Sequence, residues 1–505
     1  MTKFLKINNL KHVRSKFKTK KIVLVHGVFD VLHIGHIEYF KEAKKNGDIL
    51  VVSVTANEFV NKGINRPYFN EKNRILLLNE LSEVDYTVLS EEPSAVKIIK
   101  NLKPDFYVKG PDYKVDTNDK AGNLKIEKKE VEKYGGKLKF TSGKLFSSTK
   151  VLNSNFEEFK VLEKIKLLNS FNRINFNDII KDFNISLNRI SKEKVLVIGE
   201  TIFDNYYYSE TLGTPSKENI LSVNFSKKDE YIGGTLPVAL NIANLSKNVT
   251  FATLYNNEKL KKMIIKKINK KFNFKFFYQK NFKEIKKNRF IDIYKKSKFF
   301  EFYEFNNYEF FNSELEIFLK GNLKKFDKVI VCDFGHGMFN ENIIKILEKN
   351  SNFLCVNTQT NSGNRGYNLF KKFSKANLLV LDEPEIRLGM SKRYGPLDWI
   401  IKSKELKNYK NLVITRGIKG LMIKDQNSKK GFYTFPALNT KAVDTMGAGD
   451  AAYAYACMFI NSTKNKLLTG LLSSIAGAIK TTIIGHEKFI KKKQVLRTLE
   501  AIIKK

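Results

Sequence analysis

The sequence predicts two α/β domains in tandem, and three observations carry that reading. At 505 residues the chain exceeds the roughly 100–200 residues of a typical domain. Short apolar runs alternate with helical segments between residues 21 and 108, and the same alternation begins again at Lys194. Apolar residues make up 42% and charged residues 28%, with Gly 28 and Pro 9. That balance supplies packed cores and excludes a disordered or collagen-like chain.

In order along the chain, KIVLVHG (21–27) reads as a strand, HIEYFKEAKKNG (36–47) as a helix and DILVVSVT (48–55) as a second strand, a βαβ unit. A helix around Asn73 to Leu81, a strand at Asp85 to Leu89, a helix around Ser94 to Asn101 and a strand at Asp105 to Val108 continue it. Strands separated by helices argue for a parallel sheet covered on both faces. The first domain is read as 1–155. From 156 to 192 Phe, Leu and Ile recur at three- and four-residue spacing without a strand run, which predicts a helical connector. VLVIG after Lys194 opens the second domain, 193–505, in which Lys259 to Lys298 reads as an amphipathic helix followed by half-buried strands.

Composition narrows the function classes. Cys332, Cys355 and Cys457 lie far apart with no CxxC spacing, so neither a disulfide framework nor a structural zinc site is expected, and a reducing cytoplasm fits. The basic N-terminus lacks the apolar stretch of a secretory signal, and no apolar run approaches the roughly 18 residues that span a bilayer, so neither export nor a membrane partner is expected. The charge of +38 ordinarily suggests nucleic acid. Only eleven of the 90 basic residues are Arg, however, and Lys, Asn, Ile, Phe and Tyr are abundant together. A compositional bias explains the excess, and no nucleic-acid partner is expected, because phosphate and base recognition favours Arg.

The first candidate site follows the first strand. In HGVFDVLHIGHIEYF (26–40), His33 and His36 stand at the start of a helix, and their i,i+3 spacing puts both rings on one face of its first turn. Gly35 removes a side chain where a phosphate must approach, and the helix start adds partial positive charge. Two imidazoles there can donate to a nucleotide's phosphates during in-line displacement at the α-phosphorus. Farther on, GKLFSSTKVLN (143–153) offers Ser147, Ser148 and Thr149 as a helix cap, with Lys150 able to reach phosphate. These residues resemble the cytidylyltransferase-like nucleotidyltransferases, which carry a GxFDxxHxGH stretch and a closing SSTK-like stretch. VKGPDYK (108–114), KPD (103–105) and RPYFNEKNR (66–74) are most similar to the adenylyltransferase half of the ADP-heptose synthases. The likeness covers roughly residues 20–155. It implies a Rossmann-like domain in which His33 and His36 stabilise the transition state. It further implies that Gly27, Phe29, Gly35, Lys44 and Arg74 line the phosphate site and that Ser147 to Lys150 hold the triphosphate end. Lys109 and Asp112 are open to two readings, base or sugar contacts and plain turn residues.

The second candidate site lies near the C-terminus. KAVDTMGAGDAAYAYACMFI (441–460) joins a Gly-rich turn to an apolar helix, so the N–H groups of Gly447, Ala448 and Gly449 can converge on one anion, with Asp450 at its edge as proton acceptor for a sugar hydroxyl. DTMGAGD resembles the signature of the ribokinase-like, or phosphofructokinase-B, carbohydrate kinases. The likeness extends over about residues 193–490. GETIFDNYY (199–207) is similar to the stretch whose aspartate, here Asp204, grips substrate hydroxyls. YIGGTLPVALNIANLS (231–246) is similar to the Gly-Gly turn, here Gly233 and Gly234. VITRGIKGLMI (413–423) is similar to the nucleotide-contacting hairpin, placing Thr415, Gly417 and Gly420 near nucleotide. Asp444 is a further substrate contact by the same likeness. The sequence departs from that pattern at four places: Pro237 stands where Asn is usual, NTQTNSGNRGYN (357–368) replaces a DPK segment, His336 stands where Lys is common, and DEPE (382–385) replaces the Asn-x-x-Glu magnesium motif, leaving Glu385 as its metal residue.

Together the likenesses imply a cytoplasmic two-domain enzyme of nucleotide-sugar biosynthesis, with a Rossmann-like nucleotidyltransferase domain before a ribokinase-like kinase domain. This is the inverse of the usual order in the bifunctional heptose enzymes. The reactions implied are nucleotidyl transfer from ATP, with CTP open, to a heptose-like sugar 1-phosphate, and ATP-dependent phosphorylation of a sugar or sugar phosphate. Mg²⁺ serves both, and a homodimer is expected. The alternative left open by the four departures is an active transferase with a kinase-like domain that only binds.

Overall fold

A computed structural model describes residues 3–60, 66–114, 123–142, 176–268, 273–294, 297–306, 308–425, 428, 430–439, 442–483, 485 and 489–503. The chain divides into two compact units, Met1–Ile165 and Lys166–Lys505. In the first unit β1 (Phe4–Leu5), β2 (Ile22–Gly27), β3 (Ile49–Thr55), β4 (Tyr86–Ser90), β5 (Phe106–Lys109) and β6 (Lys137–Phe140) form one sheet in the order β1-β4-β3-β2-β5-β6. Every pairing is parallel. Such strands are covered on both faces, and all seven residues of β3 are buried. Successive residues of β2 feed opposite cores: Ile22 and Leu24 pack with Val13 and Ile98, whereas Val23 and Val25 pack with Phe40 and Leu78.

The four strands expected here lie within one residue of their predicted limits. The helices Ile34–Lys44 and Glu71–Asn79 begin two residues earlier than expected, where His33 and Asn70 cap them. Two helices, Leu10–Lys16 and Asn123–Lys133, and strands β1 and β6 were not legible. In Asn123–Lys133 only Leu124, Glu127 and Val131 are buried, too thin a stripe to read. The chain runs β2, β3, β4 to one side and then returns to place β5 on the other side of β2. A crevice therefore opens outside the carboxyl ends of β2 and β5.

The second unit contains two sheets. β7 (Lys194–Gly199), β8 (Thr201–Gly213), β9 (Ser222–Gly234), β10 (Asn248–Tyr255), β11 (Asn273–Tyr278), β12 (Ile285–Asp292) and β13 (Lys298–Glu304) come first. β14 (Lys328–Asp333), β15 (Leu354–Thr358), β16 (Ala376–Asp382), β17 (Tyr409–Thr415), β18 (Leu421–Lys424) and β19 (Phe432–Phe435) follow. The larger sheet runs β11-β10-β7-β14-β15-β16-β17-β18-β19, parallel as far as β17 and closed by an antiparallel hairpin and strand. The smaller sheet runs β13-β12-β8-β9, with β8 and β12 parallel. A single residue, Glu200, separates β7 in one sheet from β8 in the other.

The described part of the expected connector, the helix Phe176–Ile190, belongs to this second unit, because its apolar face is spent on that core. Phe183 stacks on Phe459 with centroids 5.8 Å apart, and Ser186 Oγ donates to the Ser462 carbonyl at 2.8 Å. The rest of the connector, 156–175, and the Ser147 to Lys150 stretch lie outside the described residues. The Lys-rich stretch forms the helix Glu258–Ile268 and then β11 and β12. All three cysteines are buried free thiols.

Candidate active sites

In the first unit the crevice is floored by a tight local construction. Phe29 has a φ of +48°, and this turn folds its ring back over the chain. A Cβ on Gly27 would stand 3.0 Å from that ring, so a larger residue there would have to push the ring aside. The Phe29 ring meets His36 edge-on at 5.8 Å and Phe40 at 5.1 Å. His33 caps the helix with extended backbone, its Nδ1 accepting from the Gly35 N–H at 3.1 Å, which assigns the ring proton to Nε2. The His33 and His36 rings lie 3.9 Å apart. Two imidazoles are thereby presented side by side at a helix start beside the carboxyl ends of β2 and β5, the arrangement the spacing predicted.

Two expected phosphate contacts lie elsewhere. Arg74 is fully buried and spends four of its five N–H groups on its own chain. Nε donates to the Phe69 carbonyl at 3.1 Å, Nη1 to that of Val28 at 2.5 Å, and Nη2 to that of Thr55 at 2.8 Å and to Asn57 Oδ1 at 2.7 Å. It braces the loops around the crevice instead of reaching into it. Lys44 sits in the last turn of the helix that His33 begins, about 16 Å away along the axis at a rise of about 1.5 Å per residue. There it pairs with Asp85 and donates to the Asp48 carbonyl at 2.6 Å.

A buried polar cluster at the end of β5 went largely unread. Lys109 Nζ lies 3.4 Å from Glu127 Oε2, which also accepts from the Tyr107 hydroxyl at 2.8 Å, while Oε1 accepts from the Ala95 N–H at 2.8 Å. Tyr107 and Tyr113 flank the ammonium at 5.1 and 4.9 Å. His26, 3.0 Å from Ser53 Oγ, is lowered to about 4 by burial and then by Lys109, so it is neutral at pH 7.

The second site is a cavity of about 170 Å³ at the carboxyl ends of the parallel strands, lined among others by Asp204, Gly234, Lys287, Arg289, Gln359 and Asp450. Asp450 is the third residue of the helix Ala448–Phe459, capped by Gly447 at φ +72°. Burial lifts its carboxyl to about 6, against Lys480, with Asp204 adding to the rise and Lys287 and a hydrogen bond from Gln359 opposing it. The parallel register of β8 and β12 sets Asp204 opposite Lys287 and Tyr206 opposite Arg289. Arg289 Nη1 lies 2.5 Å from Asp204 Oδ1, and Nε lies 3.2 Å from Glu301. Gly234 has a φ of +67°, and a Cβ there would stand 2.4 Å from the Glu200 carbonyl. Gly233 is its neighbour in β9, paired with Ile202.

Several expected residues serve the frame of this site. Asp444 Oδ1 accepts from the Met446 N–H at 3.0 Å and Oδ2 from that of Gly485 at 2.8 Å, so the carboxylate ties the Gly-rich turn to the segment around Gly485. Lys480, missed in the sequence, donates to the carbonyls of Met446 at 2.9 Å and Gly485 at 2.6 Å. Thr415, Gly417 and Gly420 shape the β17–β18 hairpin, closed by the Arg416 N–H donating to the Gly420 carbonyl at 2.8 Å, and they do not line the cavity. Pro237 is buried inside the helix Thr235–Ala243. His336 is buried against Phe305 at 5.3 Å and lowered to about 4 by burial and Lys287, so it carries no charge where a Lys was usual.

Glu385 forms a capping box with Asp382: its backbone N–H donates to Asp382 Oδ1 at 2.7 Å, and its Oε2 accepts from the Asp382 N–H at 2.8 Å. Oε1 accepts from the Thr360 N–H at 3.1 Å. Burial and Asp382 push its carboxyl up to about 8. No group of three or more His, Cys, Asp or Glu among the described residues can hold a metal ion. With both oxygens engaged, Glu385 suits water around a phosphate-borne Mg²⁺ better than direct ligation. Another acid pair went unread. Glu200, raised to about 7 by burial and Asp333, accepts from the N–H groups of Phe334, His336 and Met338 at 3.0, 3.2 and 3.4 Å.

A profile of the pfkB family carbohydrate kinases matches residues 192–455, just over half of the chain. The chain belongs to that family. A cytidylyltransferase-like profile matches residues 24–225. The two overlap at 192–225, and there β7 and β8 pair with β10, β14 and β12 of the second unit, so we assign the overlap to the kinase unit. Two curated relatives are named "Bifunctional protein HldE". That of Helicobacter pylori strain P12 is 46% identical over 110 residues, 21% of this chain and 24% of the relative. That of Aliarcobacter butzleri strain RM4018 is 38% identical over 135 residues, 26% of each. The chain thus spans about a quarter of the length of the curated relatives it matches. Among solved structures, a ribokinase from Thermotoga maritima is 17% identical with a TM-score of 0.49, covering 62% of this chain and all of that one. No described helix is long and apolar enough to cross a membrane.

Proposed function

We propose that the chain is a bifunctional enzyme of nucleotide-sugar biosynthesis: its first unit transfers a nucleotidyl group and its second phosphorylates a sugar or sugar phosphate. The observation that carries the second half is the placement of Asp450. It is a buried carboxylate at a helix start, beside an amide-lined turn, in one cavity with Asp204. In the reaction proposed, the acceptor hydroxyl gives its proton to Asp450 as its oxygen bonds to the γ-phosphorus of ATP, and the bond to ADP breaks. The Gly447–Gly449 turn faces the charge on the transferring group. Mg²⁺, when bound, neutralises phosphate charge, with Glu385 holding its water. In the first unit an oxygen of a heptose-like sugar 1-phosphate attacks the α-phosphorus of ATP or CTP, pyrophosphate leaves, and His33 and His36 face the charge that develops.

The test uses purified chain with each NTP and a panel of sugars and sugar phosphates, following ADP and pyrophosphate separately. Asp450→Asn should cut ADP formation about 10³-fold and leave pyrophosphate release intact, and His36→Ala should do the reverse at about 10²-fold or more. One changed rate accompanying the other equally would refute the assignment. One observation favours a second reading, a kinase-like unit that binds without turnover: Arg289 occupies Asp204. Sugar binding by calorimetry with no ADP released would establish it.

We place the enzyme in the cytoplasm and assign it a homodimer joined through the smaller sheet. That sheet stacks Tyr207, Phe290 and Phe300 at 4.8 and 4.7 Å while leaving Phe225 and Phe300 57% and 51% exposed, aromatic surface a partner copy would cover. Sedimentation at a monomer's mass would refute the pairing.

A further inference from the structure

One amide in the kinase cavity has no part in the scheme above. Gln359 follows the last residue of β15, and its main chain is held from two sides: its N–H donates to the Asp333 carbonyl at 2.7 Å, and its carbonyl accepts from Asn368 Nδ2 at 3.0 Å. Asn368 Nδ2 also donates to the Asp333 carbonyl at 3.1 Å, and Lys372 donates to Asn368 Oδ1 at 2.7 Å, so the support is itself tied down. From this fixed root the side chain crosses to the catalytic helix, and Nε2 donates to Asp450 Oδ1 at 3.3 Å. An ionised carboxylate only accepts, which fixes the amide's orientation with nitrogen toward Asp450.

We infer that Gln359 is a positioning residue for phosphoryl transfer: by donating to Oδ1 it fixes the rotation of the Asp450 carboxylate, presents Oδ2 to the acceptor hydroxyl and holds the group ionised. This rests on the reading of Asp450 as proton acceptor. The charged and titratable groups that act on Asp450 come from every neighbouring element: Lys480 from the helix Lys466–Lys480, Asp204 from β8, Lys287 from β12, Glu385 from the helix Glu383–Gly389 and Cys332 from β14. Lys480 and Lys287 favour the ionised carboxylate more strongly than the amide does, but through charge and not as its hydrogen-bond donor. Lys480 spends its ammonium on the carbonyls of Met446, Ile483 and Gly485, and Lys287 stands on the smaller sheet across the cavity. Gln359 thus donates a hydrogen bond to the carboxylate, and it comes from a segment where the sequence departs from the usual kinase pattern.

The test compares Gln359→Leu, which removes the donor, with Gln359→Lys, which restores one with charge. The first measurement is the midpoint of Asp450 itself, followed by NMR on the full chain carrying ¹³C-labelled aspartate, its resonance assigned through Asp450→Asn. Loss of the donor should raise that midpoint by about one pH unit, and Lys should lower it below the parent's. The second is the pH profile of ADP formation. Gln359→Leu should lose about twofold in kcat at pH 7 and about fivefold at pH 6 with KM within about twofold, recover as pH rises, and show its acidic limb displaced upward with the midpoint. A midpoint unmoved in both variants overturns the inference, because a merely structural glutamine would lower kcat at every pH alike. A midpoint that moves while the rate profile stays in place supports the pairing and overturns Asp450 as the base, so the two failures are told apart.

Discussion

The two candidate sites are built on opposite plans. In the first unit, Gly27, Phe29, His33, Gly35 and His36 assemble the histidine pair within ten residues of chain, through a left-handed turn, a cap and a ring contact. In the second, the surroundings of Asp450 come from β8, β12, β15 and two C-terminal helices, a span from Asp204 to Lys480. A local site survives changes elsewhere as long as its own turn forms, whereas a site assembled across the chain inherits the stability of every element that contributes to it.

That contrast is broken most severely at Gly234. Alanine there must relieve a 2.4 Å approach to the Glu200 carbonyl at a positive φ. The substitution should cost about 3 kcal/mol or more. Thermal unfolding should show the loss in the second unit, together with loss of ADP formation, while pyrophosphate release is kept. Equal loss of both activities would show that the sites are not independent.

A smaller effect sharpens the same contrast through pH. The Glu385 carboxyl is raised in the folded chain, so the stabilising difference is full below the ordinary glutamate value of about 4.3 and is lost as pH rises through the folded value of about 8. His336 and His26 are depressed and act oppositely, but only below about 6.5. Between pH 6.5 and 8 the Tm of the second unit should therefore fall with rising pH, with Glu200 adding to the fall up to about 7, and Glu385→Gln should flatten the slope above pH 7. An unchanged slope in the variant would remove Glu385 as its source. The smallest effect is expected at Lys44, a half-buried ion pair far from the histidines. Lys44→Ala should cost less than about 1 kcal/mol and leave pyrophosphate release within about twofold. A larger fall in rate would return Lys44 to the phosphate site.

The same division explains what could be read from the sequence. Four strands of the first unit and both Gly-rich or His-rich helix starts were legible because continuous apolar runs, caps and glycines are local signals. Arg74 was misread because a buried arginine that binds four groups of its own chain looks in sequence like any cation near a phosphate motif. Asp444 was read only in part: the fold alone shows that Gly485 donates to its second oxygen. Lys480, Gln359 and the Glu200–Asp333 pair were invisible, since each acquires its meaning from a partner far away in the chain. The helix Phe176–Ile190 was recognised as helical but not as part of the second core, whose matching face, around Phe459, arrives some 280 residues later.

Glu200 stands where the two sheets of the second unit meet. The backbone passes from the nine-stranded sheet to the four-stranded one over this single residue, while its carboxylate grips three amides of the loop that follows β14. One side chain thereby ties the junction of the two sheets to Phe334, in the wall of the cavity.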